Sequence, residues 1–573
     1  MRYMIANLAA WLMAAGVVAL ALSHGAVNDS RKGLVEITST AEPKNDTGSG
    51  SESETDSTQY AVTEMLDEID DDSTDFISSN PEATAANDSA VVCLAQGDLK
   101  RAAVLLRRAL ERDSNYARAH YNLGVASQRQ NKLGDAIREY RRAAELRPSY
   151  YRPRYNLGLL YYSIRSYDSA LSWLKNAAAV RKSSESAPAH YSLGLTYRRL
   201  GDLKAAETAY LEALRLKPSY LEARYNLALL RMNDGRFKDA AADFERAAAL
   251  GLAKARLFNN LGVCYSRLDD PEAAAAAYRR ALALEPADAS AWFNLGLAFT
   301  RLREPDSSIA AYRRAVASDS SCYQAYFNAA HIFAERVQVD SAMTYYRLAL
   351  AQNPKYSKAV YNLGLLFSDR QQNDSAADCY RKVIELDPEN REAMFNLGLM
   401  YSRMERLDDA AEAYRMLVDV DPVHVKGLNN LGTTFMRKDQ YDSALVYFNR
   451  LVGLTHDPQS YYNRAKAYNA LDSLGRARSD YHEAIKLQPD YAKAYHNLAI
   501  LEDGAGNYSE AIELLSRAIE LGEDDWKSHW KLGQIYVQLG LAEKARGEYE
   551  IAAESKPNSA KFQREYNHLF RQP

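Results

Sequence analysis

The chain has 573 residues, more than one hydrophobic core ordinarily serves, so it divides into several domains or forms one extended repeat array. With 25% charged and 47% hydrophobic residues it is neither wholly disordered nor a polytopic membrane protein. The net charge of −4 conceals a split: residues 33–82 hold fourteen Asp/Glu against Lys44 alone, whereas 83–573 carry 67 basic and 60 acidic residues, too mild and too even an excess for a nucleic-acid surface.

At the N-terminus, Ile5 to Leu22 (IANLAAWLMAAGVVALAL) is almost unbroken apolar sequence behind Arg2, which reads as a signal peptide or a signal anchor over 1–27. Both readings stand. Ser23 and Ala26 offer cleavage points, while Asp29, Arg31 and Lys32 beyond the apolar run give only a weak charge bias. The body is expected outside the cytoplasm, in the cell envelope, with this segment as its only membrane contact. Residues 28–82 are rich in Ser, Thr, Asp and Glu and show no sustained apolar period, so they are expected to form a disordered acidic linker. Tyr60 to Ile69 within it could form a transient helix.

From residue 83 onward the sequence repeats itself. The motif Asn-Leu-Gly, or a close variant, recurs from Asn122-Leu123-Gly124 through Asn362-Leu363-Gly364 to Asn497-Leu498-Ala499. Its small residue falls at 124, 158, 194, 228, 262, 296, 330, 364, 398, 432, 465, 499 and 533, a period of 34 with two residues inserted near 185 and one lost near 457. With Ala117 as position 1, position 8 is Gly or Ala, position 20 is mostly Ala, position 24 mostly Tyr and position 32 often Pro. Positions 4, 7, 8 and 11 share one face of a first helix, and 20, 24 and 27 one face of a second. Small residues at 8 and 20 let the two helices approach, the ring at 24 fills the space beside them, and Pro at 32 ends the second helix.

This pattern resembles the tetratricopeptide repeat. The resemblance implies an all-α fold, an α-α superhelix or solenoid: about fourteen units over 83–559, counting a degenerate first copy, then a capping helix over 560–573 that covers the last apolar face. It also implies that a second stripe of the first helix, positions 2, 5, 6, 9, 12 and 13, lines a concave inner surface.

That stripe carries the candidate binding residues. Asn stands at position 6 in Asn122, Asn156, Asn226, Asn260, Asn294, Asn328, Asn362, Asn396, Asn430, Asn463 and Asn497. A carboxamide holds a donor and an acceptor together, so each can pair with a peptide unit whatever its side chain, and a ladder of them suits an extended polypeptide. The array is similar in this to the asparagine-lined superhelix of O-linked N-acetylglucosamine transferases, without a segment assigned to their catalytic domain. Asn could equally make local contacts within the repeats, and both readings stay open. Position 5 is usually aromatic (Tyr121, Tyr191, Tyr225, Phe293, Tyr361), either as an anchor for a partner or as packing. Arg199, Arg267, Arg301, Arg403 and Arg437 at position 13 could meet an acidic partner, or the chain's own acidic linker, or simply form a solvated face. Chaperone-tail binders of the family place Lys at position 5 and Asn at position 9, where this chain has aromatic and aliphatic residues, so their specificity is not expected.

Cys93, Cys264, Cys322 and Cys379 lie in separate repeats without a CxxC spacing and read as buried small hydrophobes. The sequence contains no HExxH, Walker-type loop or G-x-S-x-G, so neither enzyme activity nor a metal or cofactor is expected. The leading expectation is a scaffold that binds extended segments of other proteins. The alternatives are a structural subunit of an envelope secretion or biogenesis assembly, which would use the second helices or the ends, and a non-catalytic partner of a glycosyltransferase.

Overall fold

A computed structural model describes residues 78–180, 184–522, 525–555 and 566. The hydrophobic segment, nearly all of the linker and the capping helix expected near 560–571 lie outside these residues, apart from Tyr566. The described residues form 28 α-helices in fourteen antiparallel pairs. The first pair is α1 (Pro81–Ala95) and α2 (Leu99–Arg112); the second spans Ala117–Arg129 and Leu133–Leu146, and the last Asp525–Gln538 and Ala542–Ser555. α1 begins within the stretch read as linker, because the Asn80 side chain accepts from the Glu82 and Ala83 amides and Pro81 occupies the first helical position. The two residues inserted near 185 form a 3-10 turn, Ser184–Ser186. The residue lost near 457 leaves a two-residue connection, left-handed His456 and the N-cap Asp457.

The described helices group into two compact units, one within 37–332 and the other within 333–573. Within each unit a first helix packs on the second helix of its own pair and on that of the pair before it. Position 20 sits at the tightest point: Ala136, Ala206 and Ala274 in one unit, and Ala376, Ala410 and Ala444 in the other, are fully buried. The ring at position 24 lies directly over the glycine at position 8. A Cβ built on Gly296 would fall 2.5 Å from Tyr312 Cε1, and one on Gly398 the same distance from Tyr414. The close approach expected from small residues is therefore helix backbone against an aromatic face. Two of the four cysteines depart from expectation: Cys93 and Cys264 are buried, but Cys322 and Cys379 are only half-buried.

Pro at position 32 acts through its neighbour. Arg147, Lys217, Glu285 and Asp421 end their second helices at φ between −135° and −128° immediately before a proline, whose ring disfavours helical backbone in the residue ahead of it. The turn inside each pair depends on position 15, where Gly201, Gly235, Gly506 and Gly540 alternate with Asn131, Asp269, Arg303, Gln371 and others, all left-handed. Val337 at φ 63° is the least suited, because its branched Cβ crowds the backbone in that region. Val337→Gly is expected to stabilise the 333–573 unit by about 1 kcal/mol, read as a higher urea midpoint at unchanged m-value.

One buried carboxylate makes the same unit acid-sensitive. Glu502 has no exposed side-chain surface, and it accepts from Arg478 Nε at 2.5 Å and Nη2 at 3.0 Å and from Asn507 at 2.7 Å. Burial alone would raise its pKa, but the Arg478 and Asn507 hydrogen bonds prevail and hold it below the ordinary carboxylate value. A depressed folded pKa stabilises above the unfolded value of about 4.3, and that contribution fades as pH falls through the folded value. Stability of this unit should therefore drop between about pH 5 and pH 3, and Glu502→Gln should flatten that part of an acid titration followed by circular dichroism.

Candidate functional site

The expected inward ladder is made of side chains that tie each first helix to the pair before it. Consecutive first helices touch little directly, and the carboxamide at position 6 bridges the seam between them. In the 37–332 unit, Asn122 donates to Asn87 Oδ1 at 2.8 Å, Asn226 to the Tyr191 hydroxyl at 3.1 Å, Asn260 to Tyr225 at 3.3 Å and Asn294 to Asn259 Oδ1 at 3.4 Å. Asn156 reaches both Tyr121 and Tyr140 at 3.4 Å, and Asn328 reaches Tyr312 at 3.5 Å. In the 333–573 unit, Asn362 donates to Tyr346 at 3.1 Å, Asn396 to Tyr361 at 3.0 Å, Asn430 to Tyr414 at 3.2 Å, Asn463 to Asn429 at 2.7 Å and Asn497 to Tyr462 at 2.7 Å.

The acceptor is thus usually position 5 or position 24 of the preceding pair. Burial pushes the Tyr312 and Tyr361 phenols up to about 12, so they remain neutral hydroxyls able to accept. Asn328 and Asn362 are fully buried, Asn122, Asn156, Asn226 and Asn294 nearly so, and the other five half-buried. This corrects the picture of a free ladder: one N–H of every carboxamide is committed to the seam. Helical spacing alone placed position 6 on the first-helix face without distinguishing open surface from the joint between two such faces.

The aromatic residues of position 5 are likewise packed. Tyr121 lies 5.8 Å from Tyr140, Phe293 5.8 Å from Tyr312 and Tyr361 5.8 Å from Tyr380, centroid to centroid. The arginines of position 13 repeat the stitch at the other end of the helix. Arg301 donates to the Ser266 carbonyl at 2.7 Å, Arg437 to the Ser402 carbonyl at 3.5 Å and Arg403 to Ser368 Oγ at 3.2 Å, each 35 residues back. Arg129, which belongs to the same series, donates to the Leu94 carbonyl at 2.9 Å. A cation on the last carbonyls of a helix satisfies orphan acceptors and complements the helix dipole. Arg199 and Arg267 are exposed.

One place on the first-helix face is not a regular seam. The fourth pair (Ala187–Leu200 and Leu203–Leu216), the fifth (Leu221–Asn233 and Phe237–Ala249) and the sixth (Ala255–Arg267 and Pro271–Leu284) enclose a cavity of 540 Å³. Its origin is local. The fifth pair has Leu252 where proline would stand, its second helix is 13 residues rather than 14, and the connection bends through Gly251 at φ 104°. Tyr191, Tyr225, Asn226 and Leu229 form one wall and Leu252 to Arg256 another. Arg198 and Arg256 both line it, and neither has a hydrogen-bond or ion-pair partner among the described residues. Arg256 stands at position 2, within the stripe expected to line the inner surface. Arg198 at position 12 was not singled out; the broken proline pattern at 252 was the available sign that this connection differs.

A family model described as the tetratricopeptide repeat matches residues 155–220, 191–255, 225–289, 265–321, 301–357, 361–425, 401–461, 462–522 and 496–560, and a second, described as the TPR repeat, matches 92–131 and 129–164. The chain is similar to the TPR repeat-containing protein YpiA of Bacillus subtilis, at 31% identity over 70 residues, which is 12% of this chain and 16% of that protein. It therefore spans about a sixth of the length of the curated relative it matches. Among solved structures it is similar to MamA, with 28% identity over 29% of this chain and 97% of that one at a TM-score of 0.28. It is also similar to YrrB, described as a TPR protein with an unusual peptide-binding site, with 23% identity over 35% of this chain and 99% of that one at a TM-score of 0.30.

Proposed function

Since the chain belongs to the tetratricopeptide repeat family, we propose that it is a protein-binding scaffold that holds extended segments of partner proteins against the face of its first helices. The observation that carries this reading is the cavity between the fourth and sixth pairs. Its volume falls in the range of roughly 300–1,000 Å³ used for ligand recognition. Elsewhere on this face Asn and Tyr close the seam. Here Tyr191, Tyr225 and Leu229 offer apolar surface beside the guanidinium groups of Arg198 and Arg256, and aromatic and arginine side chains are the commonest energetic anchors of protein recognition. The chemistry suits an extended segment that brings a carboxylate next to an apolar side chain, with the half-buried carboxamides along the face supplying further hydrogen bonds.

A photo-crosslinking residue in place of Leu229 is expected to capture partner proteins in cells, whereas one in place of Arg314, on a second helix, is not. Capture from Arg314 alone would instead indicate a subunit that joins a fixed assembly through its second helices. Once a captured segment is in hand, Arg256→Glu should weaken its binding about tenfold, equivalent to about 1.4 kcal/mol, without lowering the melting temperature.

The array is placed outside the cytoplasm, held by the apolar stretch from Ile5 to Leu22 either as an uncleaved anchor or through export. Protease added to intact cells should then reach the repeats once any outer barrier is opened; repeats protected by the inner membrane would refute this placement.

A further inference from the structure

The outer face of α2 combines an exposed valine at position 22, as at Val446 with 55% exposure, with arginines at both positions 25 and 26. Val104 stands at position 22 with 62% of its surface exposed, where most other pairs carry polar or small residues such as Arg138, Thr208, Asp378 and Glu412. Val104, Arg107, Arg108, Glu111 and Arg112 line a shallow groove of 510 Å³.

Several later arginines at the two places occupied by Arg107 and Arg108 have partners, although Arg246, Arg314 and Arg415 have none among the described residues. At position 25, Arg141 donates to the Tyr161 hydroxyl of the next pair and Arg279 lies over the Phe299 ring. Arg107 faces no such ring, because the corresponding residue of the second pair is Ser127. At position 26, Arg142 turns back to Asn115 and Arg450 to the Pro422 carbonyl, each in the connection that precedes its own pair. For α2 that connection is the chain around residue 80. Neither Arg107 nor Arg108 has a hydrogen-bond or ion-pair partner among the described residues.

The chain arrives at this same place. Ser78 Oγ donates to the Asp113 carboxylate, Asn80 Nδ2 to the Arg112 carbonyl at 3.3 Å, and Glu82 pairs with Arg112 at 3.2 Å, so residue 78 is fixed at the C-terminal end of α2. Immediately upstream, residues 60–77 (YAVTEMLDEIDDDSTDFI) hold seven acidic residues, no basic residue, and the apolar Val62, Met65, Leu66 and Ile69.

We propose that residues 60–77 dock on the outer face of α2, with Asp70, Asp71, Asp72 and Asp75 against Arg107 and Arg108 and with Met65, Leu66 and Ile69 over Val104. The dimensions agree. α2 has 14 residues and is about 21 Å long at 1.5 Å per residue, and eighteen residues running back from residue 78 exceed that length in any conformation. Val104 lies two helical turns from Arg112, which places it opposite Met65 to Ile69 rather than opposite the aspartates. The contact shortens the tether between the apolar N-terminal stretch and the first pair, and it rests on observations separate from the cavity of the preceding section.

Hydrogen–deuterium exchange on the full chain tests the contact. Amides of 60–77 are expected to exchange at least about tenfold more slowly than an unstructured peptide at low salt. That protection should be lost near 0.5 M salt, where screening falls to about 4 Å, and lost in Arg107→Glu/Arg108→Glu with the later helices unchanged. Asp70→Asn/Asp71→Asn/Asp72→Asn changes only residues outside the array, carries no risk to its folding, and should have the same effect. Free exchange of 60–77 at low salt, or protection indifferent to both variants, overturns the proposal. So does protection of α2 that arises only with phosphatidylserine vesicles, which would make the face a lipid site, or only with rising protein concentration, which would make it a site for a second copy.

Discussion

Tyr312→Ala is expected to cost the 37–332 unit about 3–5 kcal/mol, enough to move its melting transition by many degrees. Tyr312 is almost wholly buried; its ring covers Gly296, and its hydroxyl bonds with Thr300 at 3.3 Å and receives the Asn328 amide at 3.5 Å. Truncation removes the ring that spaces the two helices of the seventh pair and leaves a cavity that rigid neighbours cannot fill. Tyr312→Phe keeps the ring and should cost only about 1 kcal/mol, the scale of one buried hydrogen bond. The glycine beneath makes the complementary prediction. A methyl group at Gly296 would lie 2.5 Å from the ring, whereas one at Gly533 would lie 3.2 Å from Tyr549. Gly296→Ala should thus destabilise by about 1–3 kcal/mol and Gly533→Ala by clearly less. Equal effects at the two sites, measured by urea unfolding, would show that the ring-on-glycine contact does not set the packing.

That contact was largely legible in the residues, because a small residue and a large one 16 apart, such as Gly296 and Tyr312, recur at a fixed place along the repeats. Periodicity reports which positions are chemically constrained. It reports less well what each constrained position touches. Asn at position 6 is as regular as Tyr at 24, yet its regularity comes from the seam between a first helix and the pair before it, where one carboxamide meets a hydroxyl 35 or 16 residues earlier. A ladder that suits a bound peptide and a ladder that joins helices have the same spacing, so the spacing could not choose. The left-handed turn at position 15 was hidden for the opposite reason: Asn131, Arg303, Val337 and Glu405 share a backbone conformation but no side-chain property. The cavity was hidden because it arises at one irregular connection, where Leu252 replaces the proline and the chain bends at Gly251.

Replacing the carboxamides by alanine separates the two roles of position 6. Asn294→Ala with Asn328→Ala should destabilise the 37–332 unit, and Asn362→Ala with Asn396→Ala the 333–573 unit, by about 2–4 kcal/mol per pair of substitutions. Most of the loss should come from Asn328 and Asn362, whose side chains are fully buried and whose removal leaves the Tyr312 and Tyr346 hydroxyls without that donor. Asn396, half-buried and 3.0 Å from Tyr361, should contribute about 1 kcal/mol or less. If the four-fold variant instead melts with the parent, the seam bonds are not formed in solution and the carboxamides are free to face a partner. If it melts early, weakened partner binding in that variant says nothing about direct contact. The decisive comparison is then with Arg256→Glu, which alters an exposed guanidinium in the cavity with no bond to lose and should reduce binding at constant stability.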